Sequence, residues 1–99
     1  MLFDSKTKAE AGDLTLAACS GTSAAAVVGK TVRLMAALNV GMPAAVAEFP
    51  LPPGGRPVAV DTNGPSVLTE DGVLWMWTPP GRPNGRWERV GSLLDEVTK

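Results

Sequence analysis

The stretch Asp71–Gly91, DGVLWMWTPPGRPNGRWERVG, decides how the chain is read. It holds three tryptophans within thirteen residues, in a chain with only five aromatics. Glu70-Asp71-Gly72 reads as a compact hairpin turn, because Gly72 accepts a positive φ without steric cost. Val73–Thr78 reads as a strand, Pro79–Gly85 as a longer hairpin tip closing on Asn-Gly, and Arg86–Val90 as the returning strand. Side chains alternate along a strand, so Val73, Trp75 and Trp77 share one face and Leu74 and Met76 the other. Both faces are apolar, and a small domain has little interior for a strand covered on both sides. One face is therefore expected to close the core and the other to meet a second subunit or a partner, where Trp and Met are enriched. Trp87 can pair across the hairpin with Trp75 or Trp77, and Arg82, Arg86 and Arg89 can lie over indole faces. The expected contact residues are Trp75, Trp77, Trp87, Leu74, Met76, Arg82, Arg86 and Arg89, with Leu93 and Leu94 from the tail. The competing reading places all three tryptophans in the monomer's own core. An aromatic platform for a glycan, or for stacking bases, is a further alternative.

Working outward, the same grammar continues. Val58–Asp61 and Ser66–Thr69 read as strands separated by Thr62-Asn63-Gly64-Pro65. Pro50–Pro57 carries four prolines and two glycines in eight residues, which predicts an extended corner between two sub-structures; a proline-rich ligand segment is the alternative. Ala44–Phe49 is a short apolar piece. The segment 23–40 supports two readings. As a helix, Ser23 is the N-cap, Gly41 the stop, and Pro43 follows. As a strand, Val28, Val32, Leu34, Ala36, Leu38 and Val40 alternate with polar neighbours, though Lys30 interrupts the apolar face. Its alanine content favours the helix. Met1–Gly12 reads as a polar arm, either mobile or held by a partner, and Ser92 as the cap of a last turn carrying Leu93, Leu94 and Val97. Arm and tail are expected to contact other chains more than their own domain. The expected fold is mainly β, a small antiparallel barrel or sandwich over residues 13–91, with a helix in 23–40 as its one variant.

The composition agrees with a globular chain of many turns. Of 99 residues, 44% are hydrophobic and 19% charged, with 11 glycines and 9 prolines. The net charge of −1 shows no basic excess of the kind that phosphate contacts need, so no nucleic-acid partner is expected. Histidine is absent, which removes the commonest general base and metal ligand. A single cysteine leaves neither an internal disulfide nor a Cys-x-x-Cys zinc site. No catalytic, cofactor or metal site is expected, and the chain is read as non-enzymatic.

Two familiar motifs overlap in residues 16–31, LAACSGTSAAAVVGKT. Leu16–Cys19 matches the box that is cut and lipidated in bacterial lipoproteins. That signal requires a preceding apolar run of about 7–15 residues. Asp4, Lys6, Lys8, Glu10 and Asp13 stand there instead, so no lipid on Cys19 and no membrane anchor are expected. Ala24–Thr31 spells A-x-x-x-x-G-K-T, the loose P-loop pattern. Its loop would be Ala-Ala-Ala-Val-Val, without the glycines that let backbone amides converge on phosphate, so no nucleotide is expected.

The run Asp71-Gly72-Val73-Leu74-Trp75-Met76-Trp77, a turn, then Arg86-Trp87-Glu88-Arg89-Val90, resembles a hairpin of tailed-bacteriophage virion proteins. Head-decoration, head-fibre and tail-fibre proteins carry segments of this form. The likeness covers about a fifth of the chain, and the proline-rich tip is longer than usual. It implies a structural role in the virion, repeated many times as a trimer or other oligomer. The implied partners are further copies of the chain and a major capsid or other virion protein. The favoured expectation is a capsid decoration or cement protein. The alternative is a tail- or fibre-associated attachment module that binds a receptor or glycan.

Overall fold

A computed structural model describes residues 10–97. A short 3-10 turn over Ala11–Asp13 leads into eight strands: β1 (Leu14–Ser20), β2 (Ser23–Val28), β3 (Thr31–Ala36), β4 (Ala45–Pro50), β5 (Pro57–Asp61), β6 (Ser66–Thr69), β7 (Val73–Thr78) and β8 (Arg86–Ser92). They form two antiparallel four-stranded sheets, each in sequence order: β1-β2-β3-β4, then β5-β6-β7-β8. The sheets pack together as a sandwich-like pair rather than a closed barrel. The mainly β, antiparallel expectation holds, and the strands over 66–69 and 73–78 fall on the expected residues. Residues 1–9 of the expected arm and 98–99 of the tail lie outside the described residues.

The helix over 23–40 is not formed. The segment folds as the hairpin β2–β3 and the start of the loop after it. Gly21-Thr22 joins β1 to β2 and Gly29-Lys30 joins β2 to β3, with Ser20 paired to Ser23 and Val28 to Thr31. In each pair only the glycine has positive φ, +58° and +60°. That is the two-residue, type II′ pattern, whose twist matches the flanking strands. Alanine's helix preference is worth only tenths of a kcal/mol per residue against β-branched neighbours. Burial outweighs it: Leu16, Val27, Val32 and Phe49 lie in one cross-strand row, and Val27, Val32 and Phe49 are buried.

The core sits where the two sheets meet. Val27, Val32 and Phe49 of the first sheet pack with Val67 and Trp77 of the second, and Leu16, Leu34, Leu51, Val60 and Trp87 pack around them. The Phe49 and Trp77 rings lie 5.0 Å apart and tilted, and Trp77 meets Trp87 edge-on at 5.2 Å. Such pairs contribute about 0.5–1.5 kcal/mol beyond the area they bury. The Trp87 Nε1–H donates to the Pro50 carbonyl at 2.9 Å, joining β8 to the end of β4. Residues 51–56 carry the chain from one sheet to the other, with Pro52 buried beneath them. This corner is pinned at its far end, where the Glu70 N–H donates to the Arg56 carbonyl at 2.8 Å.

Candidate functional site

Strand β7 shows what its two faces are for. Trp77 is only 5% exposed, in the core, and its Nε1–H donates to the Arg82 carbonyl at 2.6 Å. A close-packed Gly85 makes that contact possible. A Cβ there would overlap the Thr78 carbonyl oxygen and fall 2.6 Å from the Trp77 Nε1. Trp87 packs against Trp77 across the hairpin, the pairing Trp77–Trp87 rather than Trp75–Trp87. Trp75 is partly buried on the same face, beside Gly54 of the inter-sheet corner, and its buried Nε1 has no hydrogen-bond partner. Trp77 was an expected contact residue; buried in its own domain, it has no surface to offer. The packing of Trp87 on Trp77 likewise makes it mainly a core side chain.

Leu74 and Met76 point the other way, and among the described residues no strand of the first sheet covers that face; Met76 is half-buried, with Gly64 close against its side chain. Two adjoining hollows lie on this face, of about 320 and 380 Å³. Leu68, Leu74 and Val90 line both. Met76 belongs to the first, whose far end reaches Asp61 and Asn63; Gly91 and Leu93 belong to the second, which no charged residue lines. Val90 is 59% exposed and Leu93 76%. Leu93 and Leu94 follow β8 in a turn rather than a helix: the Leu94 N–H donates to the Ser92 hydroxyl at 3.0 Å, and the Ser92 N–H to Asp95 at 3.1 Å.

The expected arginine–indole stacking gives way to ion pairs. Arg86 pairs with Glu88, and Arg89 with Asp95 at 3.6 Å. Arg82 is exposed on the hairpin tip. Other carboxylates are engaged too: Glu48 meets Arg33 at 3.1 Å and Glu70 meets Arg56 at 3.6 Å. Asp71 accepts the Thr69 hydroxyl at 2.5 Å, and that hydrogen bond holds its carboxyl below the usual range. No cluster of three Cys, Asp or Glu side chains stands ready for a metal among the described residues.

The two motifs of residues 16–31 are absorbed into strands. Leu16–Cys19 lies within β1. Gly29-Lys30 is the tip of a hairpin, and Thr31 opens a strand, its hydroxyl donating to the Val28 carbonyl at 3.0 Å. No helix begins there to present amides to a phosphate.

Sequence reasoning missed one surface. The β3–β4 loop, residues 37–44, exposes Leu38, Val40 and Met42. A signal was available: no charged residue stands between Arg33 and Glu48, yet Asn39, Gly41 and Pro43 are turn formers. In the helical reading of 23–40 the same Gly41 and Pro43 mark the end of a helix. The chain matches no protein-family model, no curated protein and no solved structure.

Proposed function

We propose that this chain is a non-enzymatic structural protein of a virion, a head-decoration or cement protein of the tailed-phage kind, held in its assembly by the outer face of the second sheet. The observation that carries the reading is strand β7: Trp77 closes the core and Trp75 lies half-buried beside the inter-sheet corner, while Leu74 and Met76 line an apolar groove on the opposite face. A contiguous apolar surface on a small protein marks a place of contact. The resemblance of residues 71–90 to phage virion hairpins supplies the setting.

The test is to image virions carrying the wild-type chain and two variants. Many copies on capsid faces support the reading; a few copies at the tail favour an attachment module. Val90→Glu places a charge in the groove at an exposed position, so the variant should melt like wild type yet be missing from particles. Trp75→Ala should lower the melting temperature, whereas Met76→Ala should chiefly weaken attachment. Attachment unchanged by Val90→Glu rejects the face, and virions lacking the wild-type protein reject the setting.

A further inference from the structure

The β3–β4 loop is a built feature. Leu38 and Val40 are 90% and 87% exposed and Met42 is 49% exposed. The Thr22 hydroxyl donates to the Ala37 carbonyl at 2.6 Å, and the Ala37 N–H donates back to the Thr22 carbonyl at 3.2 Å, tying the loop's base to the β1–β2 turn. Asn39 shapes the tip: its side-chain oxygen accepts the Val40 N–H at 2.8 Å, and its carbonyl accepts the Met42 N–H at 3.1 Å. The result is an uncharged, exposed apolar tip whose backbone is held by its own hydrogen bonds, and such preorganisation lowers the entropy lost on docking.

The molecule also carries an apolar concavity. On the outer face of the second sheet, Leu68 and Leu74 form the floor, Gly91 leaves space, and Val90 and Leu93 stand at the sides. The hollow at this end, about 380 Å³, has no charged lining. Tip and groove of one copy do not meet. The groove lies on the face of the second sheet turned away from the core, and the tip at the end of β3 and β4 remote from Phe49, where the sheets join.

We infer that the β3–β4 tip of one copy seats in the outer-face groove of the next, so that the protein assembles head to tail. This rests on the reading of that face as the contact surface and names its occupant as a second copy. An uncharged tip entering an uncharged hollow buries no unpaired charge, which is the usual penalty of a wrong contact. The net charge of −1 leaves little repulsion between copies. Because the two patches differ, the contact is heterologous. Copies add until rotation closes a ring, or continue as a fibre.

Sedimentation velocity and light scattering on the full chain test this with one tip variant, Val40→Glu, and one groove variant, Val90→Glu. Wild-type mass should rise with concentration. Each variant alone should stay monomeric, with association weakened at least about tenfold, equivalent to about 1.4 kcal/mol, and an unchanged melting curve. Mixed one to one, the two should form a dimer and stop there: one intact tip meets one intact groove, and no further contact remains. Leu38→Ser and Leu93→Ser repeat the design at more exposed positions should either glutamate disturb folding. A wild type that stays monomeric at its solubility limit overturns the inference, as does a mixture that fails to dimerise or a variant that associates like wild type. A monomeric wild type whose Val90→Glu variant is still lost from virions leaves the proposed function standing and rejects only the second copy as occupant. Head-to-tail association with no protein on virions rejects the virion setting alone.

Discussion

The two sheets share one plan, four strands in sequence order, and reach it with different chemistry. The first is built from small residues. Its inward rows run from Leu16, Val27, Val32 and Phe49, through Ala18, Ala25, Leu34 and Ala47, to Ser20, Ser23, Ala36 and Ala45. Side chains are large where the second sheet packs and shrink away from it, so the sheet tapers to a tip with little interior. The second sheet concentrates its mass in Trp75, Trp77 and Trp87 and is apolar on its outer face as well. The first sheet is thus specified chiefly by its turns, and the second by its side chains.

That contrast can be broken most directly at Trp77. Trp77→Ala removes the ring that touches Phe49 and Trp87 and the bond to the Arg82 carbonyl. Truncating a buried aromatic costs about 3–5 kcal/mol, against about 5–15 for a whole domain. Denaturant titration should find the domain largely unfolded or close to it. Gly85→Ala comes next. The added methyl meets the Thr78 carbonyl and the Trp77 indole, and overpacking of this kind costs about 1–3 kcal/mol. A Gly85→Ala protein as stable as wild type would show that the hairpin tip yields freely.

The turns of the first sheet should respond for a different reason. Gly29→Ala has open space around the new methyl but keeps a φ of +60°, costing about 1–2 kcal/mol. A new methyl in open space should change little except the turn, so Gly29→Asn, which tolerates positive φ, should recover part of the loss in the same titration.

The tryptophans can also be separated by their Nε1 hydrogens. Trp87→Phe loses the bond to Pro50 and should cost about 1 kcal/mol beyond the lost packing. Trp75→Phe removes a buried donor that has no partner, so it should cost less than Trp87→Phe in parallel melts. The reverse order would mean that the Trp75 indole is hydrogen-bonded in solution.

The smallest effect is acidic. The Thr69 hydroxyl lowers the pKa of Asp71 in the folded state. The stabilisation from this group is therefore present above its unfolded value, about 3.9, and is lost as pH falls through the lower folded value. Asp71→Asn should flatten the acid limb of stability against pH slightly, leaving the neutral plateau lower by the weakened turn.

The second sheet was legible because its strands end on unambiguous breakers: Asn63-Gly64-Pro65, Asp71-Gly72 and the proline tip. The alternation of Trp75 and Trp77 with Leu74 and Met76 also announced two apolar faces, and among the described residues only one of them packs against the other sheet. The first sheet was harder to read because alanine suits helix and strand alike. Its decisive signals were the pairs Gly21-Thr22 and Gly29-Lys30, spaced to leave six residues for a strand, but they were masked by chance likeness to lipoprotein and P-loop motifs.

By itself the sequence determined the β class, the proline corner and the division of β7 into two faces, since turn chemistry and side-chain alternation are local properties. Tertiary structure decided which face of β7 turns inward, because that depends on where Phe49 and Pro50 arrive from the other sheet. It also decided that residues 23–36 form a hairpin, because alanine takes its conformation from the partners it is packed against. The exposed tip over 37–44 follows from the same cause. Its leucine, valine and methionine would be core residues in a helix, and they stand in water only because the strands on either side carry them past the end of the core.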